Sequence, residues 1–516
     1  MTAGPIEPPD RRPIPRHSWL ILAAVAAAFL IVRLPVMYRQ PGGQDEDLFA
    51  VPGWTVLQEG IPRIPYAPSR NPDGVLYKAD VALFTLPPAY FYWQAPFFAV
   101  FGPSYGTARL ASAAAGLVAI WLVYWLARQF YQDERAALWA AGLYSLSRVL
   151  FFPCLTARPD MLCGAIGLGA VACAWRWHRS RRLQEIAAVG ALLGVGMLTH
   201  PFALVFSIQV GLWVFFGSRG WMNRVRNSGV LVGTALAVFA LWLPLILNYP
   251  EIFRSQFFNN VLGRAGPGLI RRLVFPWDAL PHQASLLLEH AGVWQVVLMG
   301  LGLVIATAHD LRSSVRRTQS GPLAATVLAW SSIYLLIACQ GTHVTKGYWC
   351  YPGAFLFICV GRSVALFTDR LRVAVPYPRL AAWGGALFLV AVMLPGAGLR
   401  TWAAHLRHWS DPVYDARRFV RLVLRDLPPD TRHLVDPAYV FDVYLAGRPT
   451  MLATIDEFYF GAIGMPYDYL IASRYDLERD VPDAVDGRFV RAYGDPADPF
   501  ACYAEVYESA RRSDEK

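Results

Sequence analysis

The stretch WLILAAVAAAFLIVRLPVM, residues 19–37, decides how the rest of the chain is read. It is apolar except for Arg33, is close to the ~20 residues a bilayer crossing needs, and exceeds the apolar core of a secretion signal. No small-residue cleavage site follows it, so it reads as a retained first helix, with Arg11, Arg12 and Arg16 ahead of it. Further apolar runs follow at 108–127, 136–153, 161–175, 184–199, 201–217, 228–249, 292–308, 322–340, 348–368 and 381–399. Composition agrees: 55% of the 516 residues are hydrophobic and 16% charged, against about 25% charged in a soluble domain. The chain is expected to be mostly α, a polytopic membrane bundle of about eleven crossings.

The net charge of +10 does not point to nucleic acid, because the basic residues lie scattered between apolar runs. Arg-rich connections at 128–135, 176–182, 219–226, 312–317 and 370–379 fall on one side, together with the N-terminal arginines, if residues 86–101 do not cross. That stretch is aromatic and broken by Pro87, Pro88 and Pro96, which suits the interface. The asymmetry then predicts a cytoplasmic N-terminus and an extracytoplasmic C-terminus in a plasma (inner) membrane. The seven cysteines form no C-x-x-C pair and read as small packing residues.

Two outer connections are long, 38–86 and 250–291, and the pattern changes after residue 402. There an amphipathic helix is expected over 414–427, burying Phe419, Val420, Val423 and Leu427, with strands at 433–435, 469–472, 489–493 and 502–506. The expected division is a membrane module, 1–402, with a first outer loop and interfacial helices over 38–107, and a small extracytoplasmic α/β domain, 403–516. No catalytic motif is visible in the latter.

Ionisable groups at the membrane surface are functional candidates. Asp45, Glu46 and Asp47 cluster directly after the first span, and Asp160 opens a later one behind Arg158 and Pro159. The plain alternative is an ordinary acidic loop, preferred for Asp47, and a first-turn helix acid for Asp160.

The order of these signals resembles the polyprenyl-phosphate-dependent glycosyltransferases of the GT-C class, in particular the bacterial relatives of protein O-mannosyltransferases and the lipid A aminoarabinose transferases. Asp45-Glu46, with Leu48-Phe49-Ala50 behind it, is similar to the family's acidic pair. Gly60-Ile61-Pro62-Arg63-Ile64-Pro65, Leu86-Pro87-Pro88-Ala89-Tyr90, Phe101-Gly102, Ala108-Arg109-Leu110-Ala111-Ser112 and Ala157-Arg158-Pro159-Asp160-Met161-Leu162 follow in the family's order. The likeness covers roughly residues 20–220. Two departures stand out: Leu86 replaces the lysine expected before Pro-Pro, leaving Lys78 as the nearest, and His200 stands where a lysine is common.

The resemblance implies a sugar carried on a polyprenyl (undecaprenyl-type) phosphate, moved with inversion to an extracytoplasmic acceptor that is a lipid, a glycan or a protein. An attacking hydroxyl needs a base, and the departing phosphate needs fixed cations. The family's motif puts the base on Asp45, with Glu46 orienting acceptor or loop. Asp160 is a second carboxylate orienting Arg158 or Lys346. Lys346 leads the candidate phosphate ligands, followed by Arg158, Tyr348, Lys78 and Arg264. No cofactor is required by this chemistry; a divalent metal stays open, with Asp45, Asp160 and His200 as its available ligands. A transporter or flippase of a lipid-linked glycan, or an inactive family member, is the alternative; no internal repeat supports the transporter.

Overall fold

The computed structural model describes residues 13–43, 45–263, 269–316, 321–342 and 346–510. Seven helices among them are long and apolar enough to cross a membrane: Arg16–Arg39, Tyr105–Tyr131, Trp221–Asn248, Val293–Ser313, Gly321–Gln340, Gly347–Ala374 and Arg379–Ala397. The pair Glu134–Leu146 and Arg148–Leu155, bent by 53°, makes an eighth if taken as one span. The bend falls at Ser147, whose hydroxyl accepts from the Leu150 N–H and so caps the second half. The chain is therefore a multi-pass membrane protein.

Eight falls short of the eleven expected crossings. The other three runs are helical, as Asp160–Ser180, Leu183–Thr199 and Ala203–Gly217, but do not meet the same test. The last two have 17 and 15 residues, which rise about 26 and 23 Å at ~1.5 Å per residue, less than a ~30 Å hydrocarbon core. The first carries Asp160 at its start and Arg176 and Arg179 near its end, which lowers its apolar character. The stretch expected at the interface forms the helix Ala89–Phe101, whose 13 residues reach only about 20 Å.

Two spans form the middle of the bundle: 67% of the apolar window of Tyr105–Tyr131 and 78% of that of Gly347–Ala374 are buried, against 11% for Trp221–Asn248. Close approach depends on small residues. A Cβ on Gly361 would lie 2.3 Å from the Ala136 carbonyl oxygen, and one on Gly190 would lie 2.4 Å from that of Leu231. Helix packing in lipid rests on such contacts because water supplies no drive between apolar faces.

The C-terminal region holds one mixed five-stranded sheet: β1 His433–Val435, β2 Thr450–Leu452, β3 Tyr469–Ala472, β4 Gly487–Tyr493 and β5 Ala504–Ser509, in the order β2-β1-β3-β5-β4. β1 is parallel to β2 and β3, whereas β5 is antiparallel to β3 and β4. The helix Ala416–Arg425 buries Phe419, Val420 and Val423, with Phe419 against Tyr439, and Leu427 just beyond is buried too. The expected strands at 433–435 and 469–472 are found as read; β2 was not foreseen, being three residues next to a polar turn.

The helix Leu399–Arg407 runs through residues 402 and 403, so this region joins the bundle by regular structure. Arg39, at the end of the first span, donates to the carbonyls of His408 (3.1 Å), Trp409 (2.7 Å) and Tyr414 (3.1 Å). The long loop after the first span adds backbone bonds from Gly42 to Ala438 (2.8 Å) and Val75 to Phe458 (2.8 Å), and receives one from Leu452 at Tyr66 (2.9 Å). The sheet is thereby held over the loop that carries Asp45.

Candidate active site

Asp45 has φ +66°, a left-handed conformation that aspartate tolerates better than most residues. It precedes the short helix Glu46–Phe49, and neighbouring carboxyl groups consequently take different partners. Glu46 turns into the protein and is 2% exposed. Its carboxylate accepts from Arg109 Nε (2.8 Å) and Nη2 (2.5 Å), from the Gly43 N–H (2.7 Å) and from the Ala157 N–H (2.6 Å). The remaining Arg109 N–H groups reach the carbonyls of Met37 (2.8 Å), Gln40 (2.9 Å) and Pro41 (2.6 Å). The pair therefore fastens the end of the first span, the acidic loop and the turn at 157 together. Of the two roles expected for Glu46, the geometry supplies the orientation of the loop.

Arg158 stands at the other end of that turn. Its Nη1 donates to Asp45 Oδ2 and its Nε to Asp160 Oδ2, the latter at 2.8 Å. Asp160 is fully buried as the first residue of Asp160–Ser180, and its Oδ1 has no hydrogen-bond partner among the described residues. Gly347 lies against it: a Cβ there would be 3.5 Å from Asp160 Oδ2. The next residue, Tyr348, has its ring 5.9 Å from the Arg158 guanidinium, 4.2 Å from Phe202 and 5.3 Å from His200. Asp45, Arg158, Asp160, Tyr348 and His200 thus form one neighbourhood.

The remaining candidates are placed differently. Lys78 pairs with Glu251 between the loops at 38–86 and 250–291 at 3.5 Å and, among the described residues, is not part of the Asp45 group. Lys346 opens the 3-10 turn Lys346–Trp349, so its backbone is beside Asp160, but its side chain and the whole of Arg264 lie outside the described residues. His200 Nδ1 accepts from the Phe202 N–H at 3.1 Å, and no three His, Cys, Asp or Glu side chains among the described residues gather as a metal site. Between Asp45 and Asp160 the positive charge is supplied by Arg158 itself, which a metal would have to displace.

The short motifs in the sequence are the joints of this arrangement. Gly60 and Gly102, at φ +78° and +74°, end helices. Pro87 and Pro88 begin Ala89–Phe101, whose Tyr90 hydroxyl meets Ser112 Oγ at 2.7 Å, and Ser112 Oγ bonds the Arg158 carbonyl at 3.1 Å.

A cavity of about 370 Å³ opens beside Asp45. Gly42, Asp45 and Asp47 line one wall, and Asp436, Tyr439 and Tyr475 of the sheet region line the other. Asp47, read from the sequence as an ordinary loop acid, is 5% exposed and faces this space. Burial, and then the Asp45 charge, push its carboxyl well above the usual range. Residues of the C-terminal region carry no local signature of this role: their wall is assembled by the fold from positions some four hundred residues away in sequence.

Against known proteins, residues 85–247 match the dolichyl-phosphate-mannose-protein mannosyltransferase family. An undecaprenyl phosphate-alpha-4-amino-4-deoxy-L-arabinose arabinosyl transferase of Pseudomonas fluorescens is 28% identical over 308 residues, 57% of this chain and 52% of that one. Its counterpart in Pseudomonas aeruginosa is 30% identical over 175 residues, 32% of this chain and 31% of the relative. The matches thus span about a third to a half of these relatives' length. Among solved structures, ArnT from Cupriavidus metallidurans bound to undecaprenyl phosphate superposes with a TM-score of 0.59 at 17% identity, over 95% of this chain and 98% of that one.

The chain has the ArnT fold. The archaeal oligosaccharyltransferase AglB from Archaeoglobus fulgidus, in complex with an inhibitory peptide and a dolichol-phosphate, follows at TM-score 0.53 and 14% identity, covering 96% of this chain and 74% of that one. The likeness in sequence and fold is to polyprenyl-phosphate-dependent glycosyltransferases of the GT-C class, as the ordered motifs implied.

Proposed function

We propose that this protein is an integral membrane glycosyltransferase that moves a sugar from a polyprenyl phosphate to an acceptor hydroxyl. The observation that carries the reading is Asp45: a carboxylate 29% exposed at the edge of a cavity, with one oxygen held by a buried arginine. The relatives named for undecaprenyl-phosphate-linked sugars support the donor class.

In this reaction the acceptor oxygen attacks the anomeric carbon while its proton passes to Asp45. The bond from that carbon to the phosphate oxygen breaks, its electron pair leaves with the polyprenyl monophosphate, and direct displacement inverts the anomeric centre. Arg158 is already shared by two carboxylates, so its first task is to hold Asp45 in register. The leaving phosphate is met by Lys346, next to Asp160 along the chain fold, with Tyr348, Arg264 and Lys78 as further donors around the outer loops. Asp160 positions Arg158. The N-terminus is cytoplasmic and the sheet region, residues 403–516, is an extracytoplasmic domain, since the Arg-rich connections share the N-terminal side.

The test is sugar transfer in liposomes from a panel of polyprenyl-phosphate sugars to membrane extract, with wild type and Asp45→Asn. Transfer by wild type, lost in an Asp45→Asn protein of equal melting temperature, is expected. Transfer unchanged by the substitution removes Asp45 as base, and no transfer with any donor overturns the enzyme reading.

A further inference from the structure

We infer that the acceptor is an uncharged saccharide, bound in the cavity beside Asp45 with a sugar ring against Tyr475. The inference rests on the transferase reading above and adds the chemical class of its second substrate.

Half of the charged groups lining the cavity, Asp436, Arg474 and Asp456, are already committed. Asp436 accepts from the N–H groups of Ala438 (2.7 Å), Ser473 (3.1 Å) and Asp476 (3.1 Å) and from Ser473 Oγ (2.6 Å), which leaves it a structural anchor. Arg474 gives its guanidinium to the carbonyls of Ala501 (3.2 Å), Asp495 (2.8 Å) and Asp498 (2.7 Å). Asp456 caps the Phe458 N–H at 2.9 Å. What remains for an incoming molecule is Asp45 and Asp47 on the loop wall, and Tyr475 with Arg479 on the sheet wall.

Those two walls face one another. Burial raises the Tyr475 phenol to about 12, and the Asp47 and Asp45 carboxyl groups across the cavity add to the rise. Tyr475 is 36% exposed, and the Arg479 guanidinium lies 4.0 Å from its ring centre. The Asp47 carboxyl lines the cavity while 95% buried, held by the backbone N–H groups of its own turn at Asp47 and Leu48, and no side chain among the described residues donates to it.

A flat aromatic face opposite two carboxyl groups suits a polyol. The sugar ring packs its C–H surface on the side of the Tyr475 ring away from the Arg479 guanidinium, while hydroxyls donate to the acids. A phosphate-bearing acceptor meets two carboxyl groups where it needs cations, and the one uncommitted arginine is turned against a ring. The volume lies at the small end of ligand pockets, which run on the order of 300–1,000 Å³, and admits the end of a glycan rather than a folded protein segment.

The experiment uses full-length protein in liposomes with the labelled polyprenyl-phosphate sugars above. Acceptors are membrane extract divided into neutral glycans and glycolipids, phosphate-bearing lipids, and protein. Label is expected in the neutral glycan fraction, in an acid-stable glycosidic bond. Tyr475→Ala should raise the acceptor KM about tenfold, with melting temperature and donor KM kept, and Tyr475→Trp should restore it. Label in the phosphate-bearing or protein fractions, or an acceptor KM indifferent to Tyr475→Ala, overturns the inference while leaving the transferase standing. A wild type that transfers to no fraction overturns both.

Discussion

A single guanidinium, that of Arg158, bonds Asp45 through Nη1 and Asp160 through Nε, so a loop carboxylate and the first residue of a helix share one positioning group. A lysine offers a point charge on a flexible stem and cannot reproduce two bonds at fixed angle. Arg158→Lys should therefore keep the fold and lose transfer by about 100-fold, the usual cost of misplacing a reacting group by ~1 Å. The check is kcat in liposomes alongside melting temperature. Equal loss from Asp160→Asn, non-additive with Arg158→Lys, is expected for one unit.

Glu46 and Arg109 form a pair with side chains 2% and 3% exposed. Removing one partner leaves a buried charge alone, which costs about 3–5 kcal/mol. Glu46→Ala should thus lower the melting temperature in detergent sharply, and Glu46→Leu combined with Arg109→Met should lose less than the two single changes added together. Thermal unfolding followed by size-exclusion chromatography measures both.

Asp47 predicts a pH dependence of stability. Its carboxyl is raised by burial and by Asp45, so the folded state holds a proton that the unfolded chain releases near the ordinary aspartate range. Stability from this group is full below that range and falls as pH rises, until the folded value is passed. Asp47→Asn removes the loss. The melting temperature of the variant minus that of wild type should grow with pH from about 4. Asp442, raised to about 6 chiefly by burial, should give the same sign in Asp442→Asn, with the growth ending near pH 6. A difference that shrinks with pH contradicts the assignment.

Gly361 sits where a Cβ would be 2.3 Å from a carbonyl oxygen of the neighbouring helix. Gly361→Leu should force apart Glu134–Leu146 and Cys350–Ala374, costing about 1–3 kcal/mol or more, seen as a lower melting temperature and yield. Gly384→Leu, where nothing lies within 4 Å of the Cβ position, should change neither.

The long spans, the helix at 89–101 and the first strand were legible because each depends on local pattern: apolar length, proline placement and alternation between turns. The group around Arg158 was legible for a different reason, since Asp45 and Arg158-Pro159-Asp160 sit at span ends, where polar residues stand out. Span count was less so. Runs such as 201–217 are apolar enough, but the helix there has 15 residues, a length at which apolar composition alone does not decide a crossing. Asp47 and Tyr475 were invisible as partners because burial of a loop acid by a sheet that follows hundreds of residues later leaves no periodicity to read.

The sheet region is tied to the loop after the first span by Gly42–Ala438 and Leu452–Tyr66 backbone bonds, and this has a bearing on how the protein comes into being. During synthesis Asp45, Arg158 and Asp160 emerge well before Tyr475 and Arg479. A nascent chain that has reached only the bundle carries the acidic loop with no roof above it. The cavity closes only after the sheet region has been made and has folded back onto that loop.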